Sequence, residues 1–282
     1  MSIASSSMLV ELNISVWTAN KVDRNTSSKL AADNGAASDA TQVRKNLMAG
    51  TTLRKEIADF AALCRLWHNL KTMPWSDRGP RLLPTSLFID YKAEANKRKA
   101  RFDHMVEHFL REYPTLQAQA QQHLGALYNP GDYPSTDEVA SKFGFRMVFT
   151  PLPESGDFRL DLPAQEIAEM QAQYDAAINE RVNDAMRSQW EKLHDALTRM
   201  SSQLVEPEHG KLPLRDTFMS NARELCALLG HMNVTKDPKL EEARTKLERA
   251  IIGVEVDDLK EDFFVREDVR MKLDNILKEY EW

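Results

Sequence analysis

The sequence predicts a mainly α protein, an elongated helical bundle with one very long helix at about residues 162–204 and a small antiparallel β-sheet. Three observations predict it. The apolar series Ile167, Met170, Tyr174, Ile178, Val182, Met186, Trp190, Leu193, Leu197, Met200 and Leu204 covers 37 residues in ten steps. Its mean step of about 3.7 fits a nearly straight bundle helix better than the 3.5 of a two-stranded coiled coil. Most of the remaining chain repeats apolar residues at three and four, and alternation is confined to short runs.

The elements follow in order. Val10, Leu12, Ile14 and Val16 alternate with polar residues, which predicts a strand over 9–17. A short helix is expected from Asp23 to Ala32, then a turn at Asn34-Gly35. From Asp39 to Leu70 the series Leu47, Leu53, Ile57, Phe60, Ala61, Cys64 and Trp67/His68 predicts a helix interrupted at Gly50. Pro74, Gly79, Pro80 and Pro84 exclude continuous helix through Thr72–Thr85, a connection that Trp75, Leu82, Leu83 and Leu87 should pack onto the body. A helix from Asp90 should end at Tyr113, with Pro114 opening the next one, to about Tyr128. Ser135 and Glu138 have capping-box spacing for a helix stopping at Gly144.

Two more strands are expected at 145–149 and 158–162, joining the first in one sheet. Pro163 and Glu166 suit the first turn of the long helix, which Pro207–Pro213 ends. Thr217–Leu229, closed by Gly230, and a helix capped at Thr235 or Asp237 with Pro238 behind it should follow. The stripe Val269, Leu273, Ile276, Leu277 and Tyr280 makes the tail a docked helix. The domain reading is 1–205 for the helical body and 206–282 for a C-terminal helical segment.

Charge is uneven. Residues 1–141 carry 17 Lys and Arg against 15 Asp and Glu, and residues 142–282 carry 20 against 28. That balance argues against wrapping nucleic acid over the whole surface, which needs concentrated cationic charge. Two cysteines, Cys64 and Cys226, lie in apolar helical contexts and read as buried free thiols of a reducing, cytoplasmic compartment. The start Met-Ser-Ile-Ala-Ser-Ser-Ser lacks the charge pattern of a signal peptide, and no run is apolar enough to span a bilayer.

His104-Met-Val-Glu107-His108 has the order of an inverted zinc-protease motif, whose histidines could share a metal while the glutamate activates water. At 100° per residue, however, the histidines lie roughly 200° and 240° from Phe102, away from the apolar stripe. Glu180 is the one distant carboxylate with suitable spacing, and glutamate is too common for that to decide anything. His68, His123, His194, His209 and His231 read as surface or interface residues. Phosphate-loop, dinucleotide, nucleophile-elbow and EF-hand signatures are absent, so neither a cofactor nor a catalytic residue is assigned. Lys92, Lys97, Arg98, Lys99 and Arg101 form a basic helical run, read first as an ordinary solvated helix face, because Asp90, Glu94 and Asp103 are mixed in, and alternatively as a docking face for nucleic acid or for an acidic protein. Tyr174 and Trp190 are the aromatic interaction candidates of the long helix.

The runs Leu12-Asn-Ile-Ser-Val-Trp-Thr-Ala-Asn-Lys-Val-Asp, Met73-Pro-Trp-Ser-Asp-Arg-Gly-Pro-Arg-Leu-Leu-Pro84 and Asn129-Pro-Gly-Asp-Tyr-Pro134, with Phe143 and Phe149-Thr-Pro-Leu-Pro153, carry a resemblance over roughly residues 9–205. They resemble an uncharacterised family of bacteriophages and some bacteria that occurs alongside MoxR-like ATPases and von Willebrand factor A domain proteins. The resemblance implies an accessory to a ring ATPase, or a phage factor of assembly or host takeover. It implies a location in the bacterial or infected-cell cytoplasm, or on the virion. The expected function is therefore non-enzymatic protein interaction, with an ATPase, a virion component or a second copy of the chain as partner. The alternatives are a zinc-dependent hydrolase at His104, Glu107 and His108, and a nucleic-acid-binding protein.

Overall fold

A computed structural model of the protein describes residues 3–76, 79–152, 163–205, 214–280 and 282. The described chain is mainly α, with a small antiparallel sheet. It divides into two compact units, Met1–Glu11 with Asn69–Tyr91 and Val148–Trp282, and Leu12–His68 with Lys92–Met147. This division cuts across the sequence reading of 1–205 and 206–282, because strands and helices distant in sequence share each core.

The first unit begins with α1 (Ile3–Ser6) and β1 (Ser7–Ser15), which continues into the second unit. β1 pairs antiparallel with β4 (Arg81–Pro84), from Ser7↔Pro84 to Val10↔Arg81. β5 (Gly144–Pro151), also shared by the units, completes the order β4-β1-β5. The third described strand thus comes from the segment read as an irregular connection, and the strand expected at 158–162 lies outside the described residues. Leu82 and Leu83 are fully buried, and Pro84, which has no N–H to donate, sits on an edge strand where none is required.

The very long helix is α6 (Ala164–Gln203), 40 residues or about 60 Å. Its second half packs with α7 (Phe218–Met232), α8 (Pro238–Ile251), α9 (Val256–Glu261) and α10 (Phe263–Glu279) around Leu193, Leu197, Leu229, Leu247, Leu259 and Leu273. The helix expected to close at Gly230 continues to Met232, since Leu229 and Met232 are both buried and hold the turn in place. Asp237 caps α8 by accepting from the amides of Lys239 and Leu240, ahead of Pro238. A smaller core joins Met73, Trp75, Leu82, Leu152, Ala185 and Met232.

The second unit holds α2 (Arg24–Asp33), capped by Asp23, and a hairpin of β2 (Asn20–Val22) with β3 (Arg44–Asn46). The helix expected from Asp39 is therefore strand and turn until α3 (Leu53–Leu70). Gly50 has φ +84°, outside the right-handed helical region, and a Cβ there would collide with the His123 ring. α4 (Phe88–Leu124) runs through Pro114 instead of ending before it; all but its first turn belongs to this unit. The proline forfeits the hydrogen bond to the Leu110 carbonyl, but Phe109, Tyr113 and Ala120 are buried in one core across it. Tyr113 also donates to the Pro134 carbonyl, next to α5 (Thr136–Ala140) and its Ser135/Glu138 capping box. Trp17, Ile57, Phe60, Phe102, Val139 and Phe145 complete the core.

Candidate protein-interaction surface

α3 carries apolar residues around more of its circumference than one buried stripe needs. Ile57, Phe60, Ala61, Cys64 and His68 are buried, at the three- and four-residue spacing of a core-facing side. Leu63, Leu66 and Leu70 remain and are 58%, 55% and 51% exposed. Steps of three and four place them within an arc of about 60°, along about 10 Å of one helix. One turn earlier on this side, Lys55 and Asp59 bond to each other at 2.6 Å. Arg65, on the other side of the helix, donates to the Ile14 carbonyl at 2.8 Å. The leucines thus leave an apolar strip on α3. Covering the exposed half of one of these side chains would contribute roughly 1 kcal/mol.

The basic run is largely spent within its own unit. Arg98 bonds Glu94 at 2.8 Å and lies 4.8 Å over Trp67. Arg101 lies 4.6 Å over Phe60, and Lys99 bonds Asp103 at 2.5 Å. Guanidinium stacking therefore helps fasten α4 to α3. Lys92, Lys97 and Lys99 are exposed on a face that also carries Glu94 and Asp103, which dilutes its positive charge toward a phosphate backbone.

His104 and His108 are exposed, and Glu107 is held by Arg111 at 3.1 Å. No group of three His, Cys, Asp or Glu able to hold a metal occurs among the described residues. His68 is 6% exposed, on the buried side where the apolar series through Trp67/His68 puts it. Cys64 and Cys226 are buried free thiols; burial pushes both pKa values up, that of Cys226 to about 11.

On α6, no described side chain before Ala185 is fully buried, and Tyr174 is half-buried there. Trp190 is committed to its own unit. Its indole donates to Asp237 at 3.1 Å, and its ring meets Tyr280 and Trp282 with centroids 5.6 Å away in each case. The sequence reading missed Leu63 and Leu66, although both were visible as apolar residues that the core series of α3 left over.

No described helix is long and apolar enough to cross a membrane. The chain matches no protein-family model, no curated protein and no solved structure.

Proposed function

We propose that the protein is a non-enzymatic interaction or assembly factor that docks a partner protein along Leu63 and Leu66 of α3. The carrying observation is that Leu63 and Leu66, neighbours on one helix face, are each more than half exposed. Contiguous exposed apolar surface is unfavourable in water and marks places that another surface covers. The spacing suits an amphipathic helix laid alongside, with its own apolar residues three and four apart. The family resemblance directs the search first to a MoxR-like ring ATPase or a phage virion component, with a second copy of the chain as the remaining candidate. The engagement of Arg98, Lys99 and Arg101 within the chain and the solvent-facing His104 and His108 give the nucleic-acid and zinc readings no comparable support.

The test is the double variant Leu63→Glu, Leu66→Glu, compared with wild type by quantitative affinity purification from the native source and by light scattering. Both leucines are more than half exposed, so unfolding stability should change by less than about 1 kcal/mol. The specific partner, or the dimer, should be lost, while wild-type association persists at high ionic strength. A folded variant that keeps every wild-type association refutes the proposal.

A further inference from the structure

α10 presents a second apolar surface, which belongs to the other compact unit and does not rest on Leu63 and Leu66. Its buried side is formed by Arg266, Val269, Leu273 and Ile276. At 100° per residue, Phe264 and Met271 lie within about 20° of each other and about 170° from the centre of that side. They are 81% and 55% exposed, and Phe263, at the first position of the helix, is 47% exposed. A lone exposed apolar residue is ordinary on a protein surface. Here two rings lie 5.7 Å apart, and a methionine follows two turns on along the same face.

The aromatic pair is held in place. Asp262 caps α10 by accepting from the amides of Phe264 and Val265 at 2.8 and 3.2 Å. Arg266 is buried, lies 5.5 Å from the centre of the Phe263 ring and donates to the carbonyl of the buried Leu259 at 3.0 Å. Phe264 therefore stands on a fixed helix end, which lowers the ordering cost of covering it.

The surroundings are acidic. Residues 255–264 hold five carboxylates, all on exposed residues, and one cation, Lys260. Lys260 is held by Asp216 at 3.0 Å and by Asp257 at 3.5 Å, and Arg223 holds Glu255 at 2.8 Å. Among the described residues no cation pairs with the remaining three, Asp258, Glu261 and Asp262. Further along α10, Glu267 and Asp268 flank the line of Phe264 and Met271 at about 50° to either side. Their bonded partners, Arg270 and Lys272, lie further round the helix.

We propose that Phe263, Phe264 and Met271 dock a basic amphipathic helix of a partner protein, its apolar residues covering the rings and its Lys or Arg side chains meeting Asp258, Glu261 and Asp262. An anionic lipid surface fits poorly, because the same carboxylates repel it. A second copy of the chain also fits poorly: its basic helical run is engaged internally, with Arg98 and Arg101 stacked on Trp67 and Phe60. In the proposed contact the carboxylates set the association rate and its salt dependence, and Phe264 is the anchor that sets the dissociation rate.

The probe is a synthetic helical peptide of about 18 residues, with leucines three and four apart and lysines on both flanks, beside a version carrying glutamate for lysine. Binding to the full chain is followed by fluorescence anisotropy of the labelled peptide and located by amide NMR shifts. The lysine peptide should bind, move the amides of 258–271 most and weaken several-fold between about 50 and 200 mM salt, and the glutamate peptide should not bind. Phe264→Ser should weaken binding at least about tenfold, and Glu261→Lys about threefold with a shallower salt dependence. Leu63→Glu, Leu66→Glu should bind as wild type, so the two surfaces fail separately. Equal binding of the two peptides, undiminished binding by folded Phe264→Ser, or shifts centred on α3 would each overturn the proposal. So would adsorption to phosphatidylglycerol vesicles, or a dimer in light scattering, that Phe264→Ser abolishes.

Discussion

Replacing Lys192 with Met should stabilise the protein at neutral pH, and the gain should fade as the pH rises. In the folded chain the ammonium titrates near 8 rather than at its ordinary 10.5, because burial and then Arg81 disfavour the charged form. Between those values the unfolded chain binds a proton that the folded chain does not, so stability increases with pH across that window and is lowest below 8. The full difference corresponds to about 3 kcal/mol as an upper bound. Methionine has similar length and no charge to desolvate, so it removes that penalty while keeping most of the packing. Other groups act in the opposite direction. Cys226, held up at about 11, and Tyr113 and Tyr133, held up at about 12, keep their protons when folded, so their share of stability falls as the pH passes about 9 to 10. The difference between wild type and variant cancels those groups. Urea unfolding should show Lys192→Met more stable by about 1–3 kcal/mol at pH 7 and nearly equal to wild type by pH 10.5. A variant less stable at pH 7, or a difference that does not change with pH, would refute the reasoning.

Leu197→Ala removes a fully buried side chain from the core of α6, α7, α8 and α10, and should cost about 2–5 kcal/mol in urea unfolding, depending on how far that core collapses. Gly50→Ala places a Cβ at φ +84° against the His123 ring, and should cost more than about 1 kcal/mol. Gly35→Ala, also at positive φ but with open space around it, should cost less than Gly50→Ala; equal losses would show that backbone strain alone decides both.

Local chemistry made part of the fold readable. The long apolar series yields α6 over Ala164–Gln203, and the caps at Asp23, Ser135 and Asp237 stand where side-chain oxygens can accept the first amides of a helix. Such signals act within one helical turn, so residue order alone determines them. Where the signal was local but the deciding contact was distant, the reading failed. Pro114 is a local helix breaker, yet Phe109, Tyr113 and Ala120 are buried in the same core on both sides of it, and α4 continues. Leu82-Leu83-Pro84 has no strand pattern, but pairing with Ser7–Leu9 makes it one.

The candidate sites divide in the same way. Basic residues from Lys92 to Arg101 were plain in the sequence, but the packing of α4 on α3 decided that Arg98 and Arg101 stack on Trp67 and Phe60. Leu63 and Leu66 are apolar in any reading; that they face solvent was settled by Ile57, Phe60, Ala61 and Cys64 taking the buried side. Lys192 is one more lysine in the sequence; its place on α6 against the buried Gln189 and Met232 is what lowers its pKa to about 8. The sequence determines which side chains a helix can present and where it can begin, because propensity, capping and periodicity act over a few residues. Only the tertiary structure decides which of those side chains lose contact with water, since burial depends on surfaces that distant parts of the chain supply.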